Sequence, residues 1–382
     1  MEKKEDKIRL VTIFLGIFLI LVPLDSFQIF GTISILRIFA IIPIVLSIFY
    51  AKDFKINKNL IYLFVFVFYV LVQILYTINV SDTISRFIMF AMYFLLIFFC
   101  TSIEYNEREI KFLNRMFAYS SIIASISILF WGFFEEGRLT IHINSNTRED
   151  ENQFCGYFLV GTVFFIKNIV EKRRIFISSI CVVLFLFIAL LTGSRGGILA
   201  IALAVITYLL FYSKSDKNKL KKLFIGLIIG ILILILISNL LKFLSPEIAQ
   251  RFSLKNVQES GGTGRTDIWK YYLNVFDESP ALRKIFGYGS GTVLNLHEKV
   301  PHNNWIQLLI ENGIVGEIIF VLLIISFLKT AYKNNNIYLF SVLIGYIGLT
   351  ISLSLFSYKP LWGVMLIILL KPYKEDKVLN EL

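Results

Sequence analysis

Charge is scarce in this sequence. Only 17% of its 382 residues are Asp, Glu, Lys or Arg, against 57% hydrophobic residues and a mean hydropathy of +0.73. A soluble globular chain carries about 25% charged residues, so the shortage excludes an ordinary soluble domain and points to a bilayer as solvent. Cysteine is scarce too. Cys100, Cys155 and Cys181 show neither paired nor metal-type spacing, and each lies in or beside an apolar run, as packing residues do. The His, Cys and carboxylate spacing of a catalytic zinc site is missing, and so is the Gly-x-x-x-x-Gly-Lys-Ser/Thr of a nucleotide-binding loop. Internal repeats and low-complexity tracts are also lacking. The basic N-terminus (Lys3, Lys4, Lys7, Arg9) leads into an apolar run without a small-residue cleavage site, so it reads as an uncleaved first helix.

What is abundant is apolar sequence in long runs. A spanning helix needs about 20 such residues, and the runs predict about twelve spans. They lie near 8–24, 29–50, 60–78, 84–103, 112–134, 153–170, 175–192, 196–212, 223–244, 312–328, 337–356 and 358–370. The expected fold class is therefore all-α, a polytopic membrane protein with one long extracytoplasmic loop. Its organisation reads as 1–244 for the first nine helices, 245–301 for the loop with an amphipathic helix, and 302–382 for the last three helices and a cytoplasmic tail.

A net charge of +11 would suggest nucleic acid in a soluble protein. Here the basic residues cluster in alternate short loops, at Lys52/Lys55/Lys58, Arg108/Lys111, Lys167/Lys172/Arg173/Arg174, Lys214/Lys217/Lys219/Lys221/Lys222, Lys329/Lys333 and Lys371/Lys374/Lys377. By the positive-inside rule these loops and both termini are cytoplasmic, and no nucleic acid is called for. A reporter fused after Asn146 or Lys255 should then behave as extracytoplasmic and one after Lys217 as cytoplasmic. A cytoplasmic signal from the Lys255 fusion would overturn this orientation.

The extracytoplasmic side receives the acidic loop 135–152, the turn 193–197 and the long segment 245–301. In that segment Ile268, Trp269, Tyr272, Leu273 and Phe276 recur at helical spacing, which predicts an amphipathic helix on the membrane face. Arg195, in Thr192-Gly193-Ser194-Arg195-Gly196-Gly197, stands between two spans, where it either grips a phosphate or snorkels as a helix-end anchor. Arg265 follows Gly261-Gly262-Thr263-Gly264 at the predicted helix start, where free amides attract anions; a solvated loop arginine is the plainer reading. Gly287-Tyr288-Gly289-Ser290-Gly291 reads as a turn. His302, in Val300-Pro301-His302-Asn303-Asn304-Trp305, can accept a proton from a substrate hydroxyl or be structural. The chain's histidines, His142, His297 and His302, all fall on this side. Glu149-Asp150-Glu151 reads as a solvated acidic loop before a cation site. Asp25, Arg37 and Arg86 are isolated charges near or within spans, and the cost of a charge in lipid turns Arg37 toward the protein interior.

Leu191-Thr192-Gly193-Ser194-Arg195-Gly196-Gly197, then Gly264-Arg265 with Trp269, then Phe286-Gly287-Tyr288-Gly289-Ser290-Gly291, then His302-Asn303 with Glu311-Asn312-Gly313-Ile314-Val315-Gly316, resemble in order and spacing the O-antigen polymerase and ligase superfamily of bacterial envelopes. The likeness runs from about Asn152 to Gly316. It implies a GT-C-like, metal-independent, inverting membrane glycosyltransferase of the bacterial plasma (inner) membrane with an extracytoplasmic active face and no cofactor. The implied substrate is an undecaprenyl-pyrophosphate-linked oligosaccharide, with a chain-length regulator protein as a further partner. Arg195 and Arg265 would hold the pyrophosphate, and His302 would activate or orient the acceptor hydroxyl. Trp269, Asn303 and His297 would line the substrate site. His297, close by in sequence, could supply the imidazole instead; Asn303 and the apolar segment that follows favour His302.

Such polymerases are numerous and divergent, which favours a polymerase that joins lipid-linked repeats into O-antigen or capsule-like polysaccharide. A ligase delivering a finished glycan to lipid A core or another acceptor needs the same donor site. A transporter of lipid-linked sugars is the competing class. It commonly shows inverted repeats and broken helices near mid-membrane, whereas the polar clusters here lie at one face.

Overall fold

The computed structural model describes residues 7–26, 28–30, 33–51, 54, 56–135, 137–144, 147–148, 150–212 and 265–372. The predicted span 223–244, the Gly261–Gly264 stretch, Glu149, Lys3, Lys4 and the fusion points at Asn146, Lys217 and Lys255 lie outside the described residues. So do Lys52, Lys55, Lys374, Lys377 and the lysines of 214–222. Among the described residues the helices are α1 (Leu10–Leu21), α2 (Ile35–Tyr50), α3 (Lys58–Gln73), α4 (Val80–Thr101), α5 (Glu107–Trp131), α6 (Glu151–Val170), α7 (Ile175–Leu191) and α8 (Arg195–Tyr212). They continue with α9 (Arg265–Glu278), α10 (Ala281–Phe286), α11 (Val293–Leu296), α12 (Asn304–Lys333), α13 (Ile337–Leu349) and α14 (Lys359–Leu369).

Short polar side chains set where these helices begin. Asn57, Asn79, Asn106, Asp150, Asn303 and Asn336 each cap a helix by accepting from a backbone amide inside its first turn. Five helices, α4, α5, α6, α8 and α12, are long and apolar enough to cross a membrane, and six shorter apolar helices accompany them. Phe49, Phe130 and Phe176 are between 78% and 80% exposed on the outside of the bundle. Apolar surface on that scale belongs against lipid, so the chain is a polytopic membrane protein.

One large apolar core runs through the bundle. At its centre stands α6, whose spanning stretch is 67% buried against 33% for α4 and α8. It packs on α5, α7, α8 and α13, while α12 packs on α3 and α1 on α5. Arg9 grips Glu109 across the starts of α1 and α5, with Nε donating to Oε1 at 2.8 Å and Nη2 to Oε2 at 2.7 Å; the Thr12 hydroxyl adds a third donor. The Glu109 side chain is 1% exposed. Because Glu109→Ala strands the Arg9 charge, it should destabilise the fold by about 3–5 kcal/mol, read as a lower thermal unfolding midpoint in detergent. Asp25 pairs with Lys359 of α14, and Arg37, half-buried, lies with Arg86 in electrostatic reach of Tyr93.

The structure corrects three expectations. The run expected at 312–328 belongs to a helix that begins at Asn304 and is broken at Gly313, where φ 63 and ψ −174 are not helical. Residues 133–148 hold two short antiparallel hairpins, Phe133–Glu135 with Arg138–Thr140 and His142–Asn144 with Thr147–Arg148. The amphipathic helix is present as α9, but Leu273 is 43% exposed; Val275 joins Ile268, Tyr272 and Phe276 on the inward stripe. One extra helical position rotates a side chain by about 100°, enough to move it off the buried face.

Candidate functional site

The starts of α6, α8, α9 and α12 and the end of α7 bring the charged residues of one membrane face together. Asp150 caps α6, and its Oδ1 accepts from both the backbone amide (2.8 Å) and the side-chain amide (2.7 Å) of Asn152. Its other oxygen, Oδ2, lies 2.8 Å from Nδ1 of His302, just ahead of α12. The Asn152 side-chain oxygen Oδ1 in turn accepts from the Ser194 hydroxyl at 2.5 Å, and Ser194 Oγ also accepts from Gly197 N at 3.1 Å. A continuous polar relay thus runs from the 193–197 turn through Asn152 and Asp150 to His302.

The glycines of that turn have steric reasons. Gly193 adopts φ +66 after α7, and a Cβ on Gly197 would lie 2.3 Å from the Cys155 Cβ of α6. Close approach of α8 to α6 puts Arg195, the first residue of α8, beside the relay. Arg195 and Arg265 lie close enough to repel each other, and Arg265 in turn senses the charges of Asp150, Arg138 and Glu151. Among the described residues neither Arg195 nor Arg265 makes a hydrogen bond or ion pair. Burial pulls the Arg265 guanidinium below its usual range and Asp150 partly restores it. It stays charged at any physiological pH.

Arg138, from the first hairpin, pairs with Glu151 at 2.9 Å and donates from Nε to the Thr192 carbonyl at 2.8 Å. It stitches the hairpin to the start of α6 and the end of α7. The stretch expected to be a solvated acidic loop therefore supplies two carboxylates, Asp150 and Glu151, engaged in the site. Burial alone would raise the Asp150 carboxyl. The His302 hydrogen bond and charge, the Asn152 amide and the nearby Arg265 instead hold it below the usual carboxylate range.

His302 is held from two directions. Trp269, one turn beyond Arg265 on α9, donates its indole N–H to the Pro301 carbonyl at 2.8 Å. The spacing from Arg265 to Trp269 thus locks the arginine to the loop that carries the histidine. Asn303 caps α12 by accepting from Trp305 N and Ile306 N, so its side-chain oxygen is taken up locally. Asn304 N donates to the Thr350 carbonyl at 2.8 Å, anchoring the α12 start to α13. His302 itself sits at φ +47, a left-handed backbone that a side chain adopts at a cost of about 1–3 kcal/mol. His297 is occupied in its own turn: Nδ1 accepts from Lys299 N at 2.9 Å and the ring lies tilted against Tyr271, centroids 4.5 Å apart.

The two glycine motifs downstream form one packing unit. Tyr288 N and Gly289 N donate to the Ile310 and Glu311 carbonyls at 3.0 and 2.8 Å, and Ser290 Oγ donates to Asn312 Oδ1 at 2.6 Å. Gln73 of α3 joins them, donating to Asn312 Oδ1 and accepting from the Ser290 backbone amide at 3.0 Å. A Cβ on Gly313 would lie 2.4 Å from the Ile285 carbonyl oxygen, so the break in α12 exists to admit this turn. Its open backbone groups are met by protein, as a break within a membrane span requires. Below it Glu311 is fully buried, accepts from Gln307 at 2.8 Å and faces the charge of Arg86.

A buried carboxylate (Glu151), a partly buried one (Asp150), an oriented imidazole and two guanidiniums unpaired among the described residues make a site suited to holding an anionic group beside a proton acceptor. Asp150 and Arg138 were not singled out from sequence. The usable sign for Asp150 was its place as an Asp directly before an apolar run, a helix-capping pattern. Residues 180–321 match the family model described as O-Antigen ligase. The matched stretch contains Arg195, Arg265, Trp269 and His302, while Asp150 and Arg138 precede it. No curated protein matches the chain.

Proposed function

On the premise that this chain carries a domain of the O-antigen polymerase and ligase superfamily, we propose that it transfers a glycan from a lipid pyrophosphate to a sugar hydroxyl. The observation that carries the reading is the pair of guanidiniums, Arg195 and Arg265, without hydrogen-bond or ion-pair partners among the described residues and next to an Asp-backed histidine. Unpaired arginines that repel each other are a ready receptor for an anion, and their planar forks match phosphate oxygens.

With Nδ1 of His302 donating to Asp150, Nε2 is left to take the acceptor hydroxyl proton. The acceptor oxygen then attacks the anomeric carbon. The carbon–oxygen bond to the pyrophosphate breaks, its electron pair leaves on the pyrophosphate, and Arg195 and Arg265 offset the charge that develops there. A single displacement of this kind inverts the anomeric centre. The lipid pyrophosphate is itself the leaving group, so the transfer uses no nucleotide sugar, and in this reading the two guanidiniums take the charge-offsetting part in place of a metal. Trp269 acts through the Pro301 carbonyl as a positioning residue. The geometry favours His302 over His297, whose ring nitrogen is engaged by Lys299.

The preferred acceptor is the non-reducing end of a second lipid-linked repeat, which makes the protein a polymerase with its active face outside the plasma membrane. The ligase reading, with lipid A core or another surface acceptor, draws support from the description of the matched family model. Deleting the gene and resolving surface glycan by length tests both. Single repeats on the acceptor identify a polymerase. Long polymer stranded on undecaprenyl pyrophosphate identifies a ligase. Unchanged glycan overturns both and restores the transporter.

A further inference from the structure

A second site lies at the other end of the bundle. The 20-residue α6 is about 30 Å long at 1.5 Å per residue, and its far end, with the starts of α5 and α7 and the α12–α13 turn, walls a cavity of about 590 Å³. Five cations line it: Lys111, Arg115, Lys167, Arg173 and Arg174; no carboxylate is among the lining residues. Lys111 pairs with Glu107 outside the cavity, Arg173 lies 3.4 Å from Glu171, and Lys167 stands over the Tyr338 ring. Arg115 and Arg174 make no ion pair among the described residues.

Two buried polar atoms in the wall also lack partners among the described residues. Ser178 is 1% exposed and its hydroxyl has none, and neither does the Asn114 Oδ1 atom. A buried polar atom left without a partner is costly, and nearly all such atoms in folded proteins are satisfied. An occupant that offers an acceptor to Ser178 and to the arginines, and a hydroxyl to Asn114, would satisfy them all. Deeper apolar wall comes from Phe164, Phe165 and Ile122, and Ile177, 56% exposed, continues it to the outer surface of the bundle. The loop entering α7 holds Lys172 at φ 57 and Arg174 at φ 46, a left-handed bend kept at an energetic cost, which sets Arg173 and Arg174 at the cavity.

We propose that this cavity binds the headgroup of an anionic phospholipid whose phosphate carries a hydroxylated substituent, a phosphatidylglycerol, from the leaflet opposite the His302 face. Basic pockets between spanning helices serve such headgroups, and the apolar wall accommodates the start of an acyl chain. The assignment rests on the cavity alone and is independent of the glycan chemistry.

The full chain, purified in neutral detergent, would be titrated with phosphatidylglycerol, phosphatidylcholine and inorganic phosphate, with bound lipid read by native mass spectrometry. The expected result is one phosphatidylglycerol per chain, weakened at least tenfold in Arg115→Gln and in Arg174→Gln and unchanged in Lys329→Gln, an exposed cation of the same face outside the cavity. Thermal unfolding without lipid checks that the variants are folded, and two separate single variants keep the test open if one fails. Equal retention of phosphatidylcholine overturns the proposal. So does displacement by inorganic phosphate at matched concentration, which would mark the site as one for free phosphate, and so does undiminished binding in both arginine variants.

Discussion

Arg265→Ala is expected to abolish surface polymer while leaving the protein folded and at wild-type abundance. Removing one preorganised charge from a developing oxyanion typically slows the chemical step by about 10²–10³-fold. Among the described residues the side chain has no hydrogen-bond partner to lose, and its attraction to Asp150 and Glu151 is opposed by Arg138 and Arg195. Thermal unfolding in detergent should therefore shift little. Arg265→Lys should recover only part of the activity, because a point charge cannot span two phosphate oxygens. A complemented strain run beside wild type on a length-resolving glycan gel reads the result. A full ladder from Arg265→Ala would remove Arg265 from the site, and a large fall in unfolding temperature would reassign it to structure.

Asp150→Asn should be the second severe change, with a different signature. It keeps the shape and the hydrogen bonds at the start of α6 while removing the charge that fixes the His302 ring. Loss of an oriented base costs about 10²–10⁴-fold, and the loss should fall on kcat with KM for the lipid donor nearly constant, since the arginines are untouched. The acid limb of stability should also change. The Asp150 carboxyl is depressed in the folded state, so the stability it contributes is present above its unfolded value near pH 4 and is lost as pH falls through the lower, folded one. Asparagine has no such loss. An Asp150→Asn enzyme with unchanged kcat would end the case for an Asp-oriented base.

The membrane architecture was legible because hydrocarbon thickness imposes a length on each apolar run, and length survives in sequence. Arg195, Arg265 and His302 were legible for a related reason: each sits beside glycine or proline in a chain otherwise short of charge. Arg138 and Asp150 were hidden because their role is tertiary. An acidic triplet and an arginine near a span end have the composition of solvated loop, and only the hairpins of 133–148 turn them inward. The break in α12 was hidden as well. Glu311-Asn312-Gly313 reads as the polar edge where a span at 312–328 begins, and not as a break inside a longer helix, until the turn at 287–291 is laid against it.

The left-handed backbone of His302 has a consequence for how this chain can change. At φ +47 glycine would be at ease where histidine is strained, so the substitution most damaging to the proposed chemistry is also one the fold would welcome. A selection for thermal robustness alone would drift toward an inert but sturdier bundle. The imidazole stands there against the preference of its own main chain, a strain that the proposed chemistry would account for and packing alone would not.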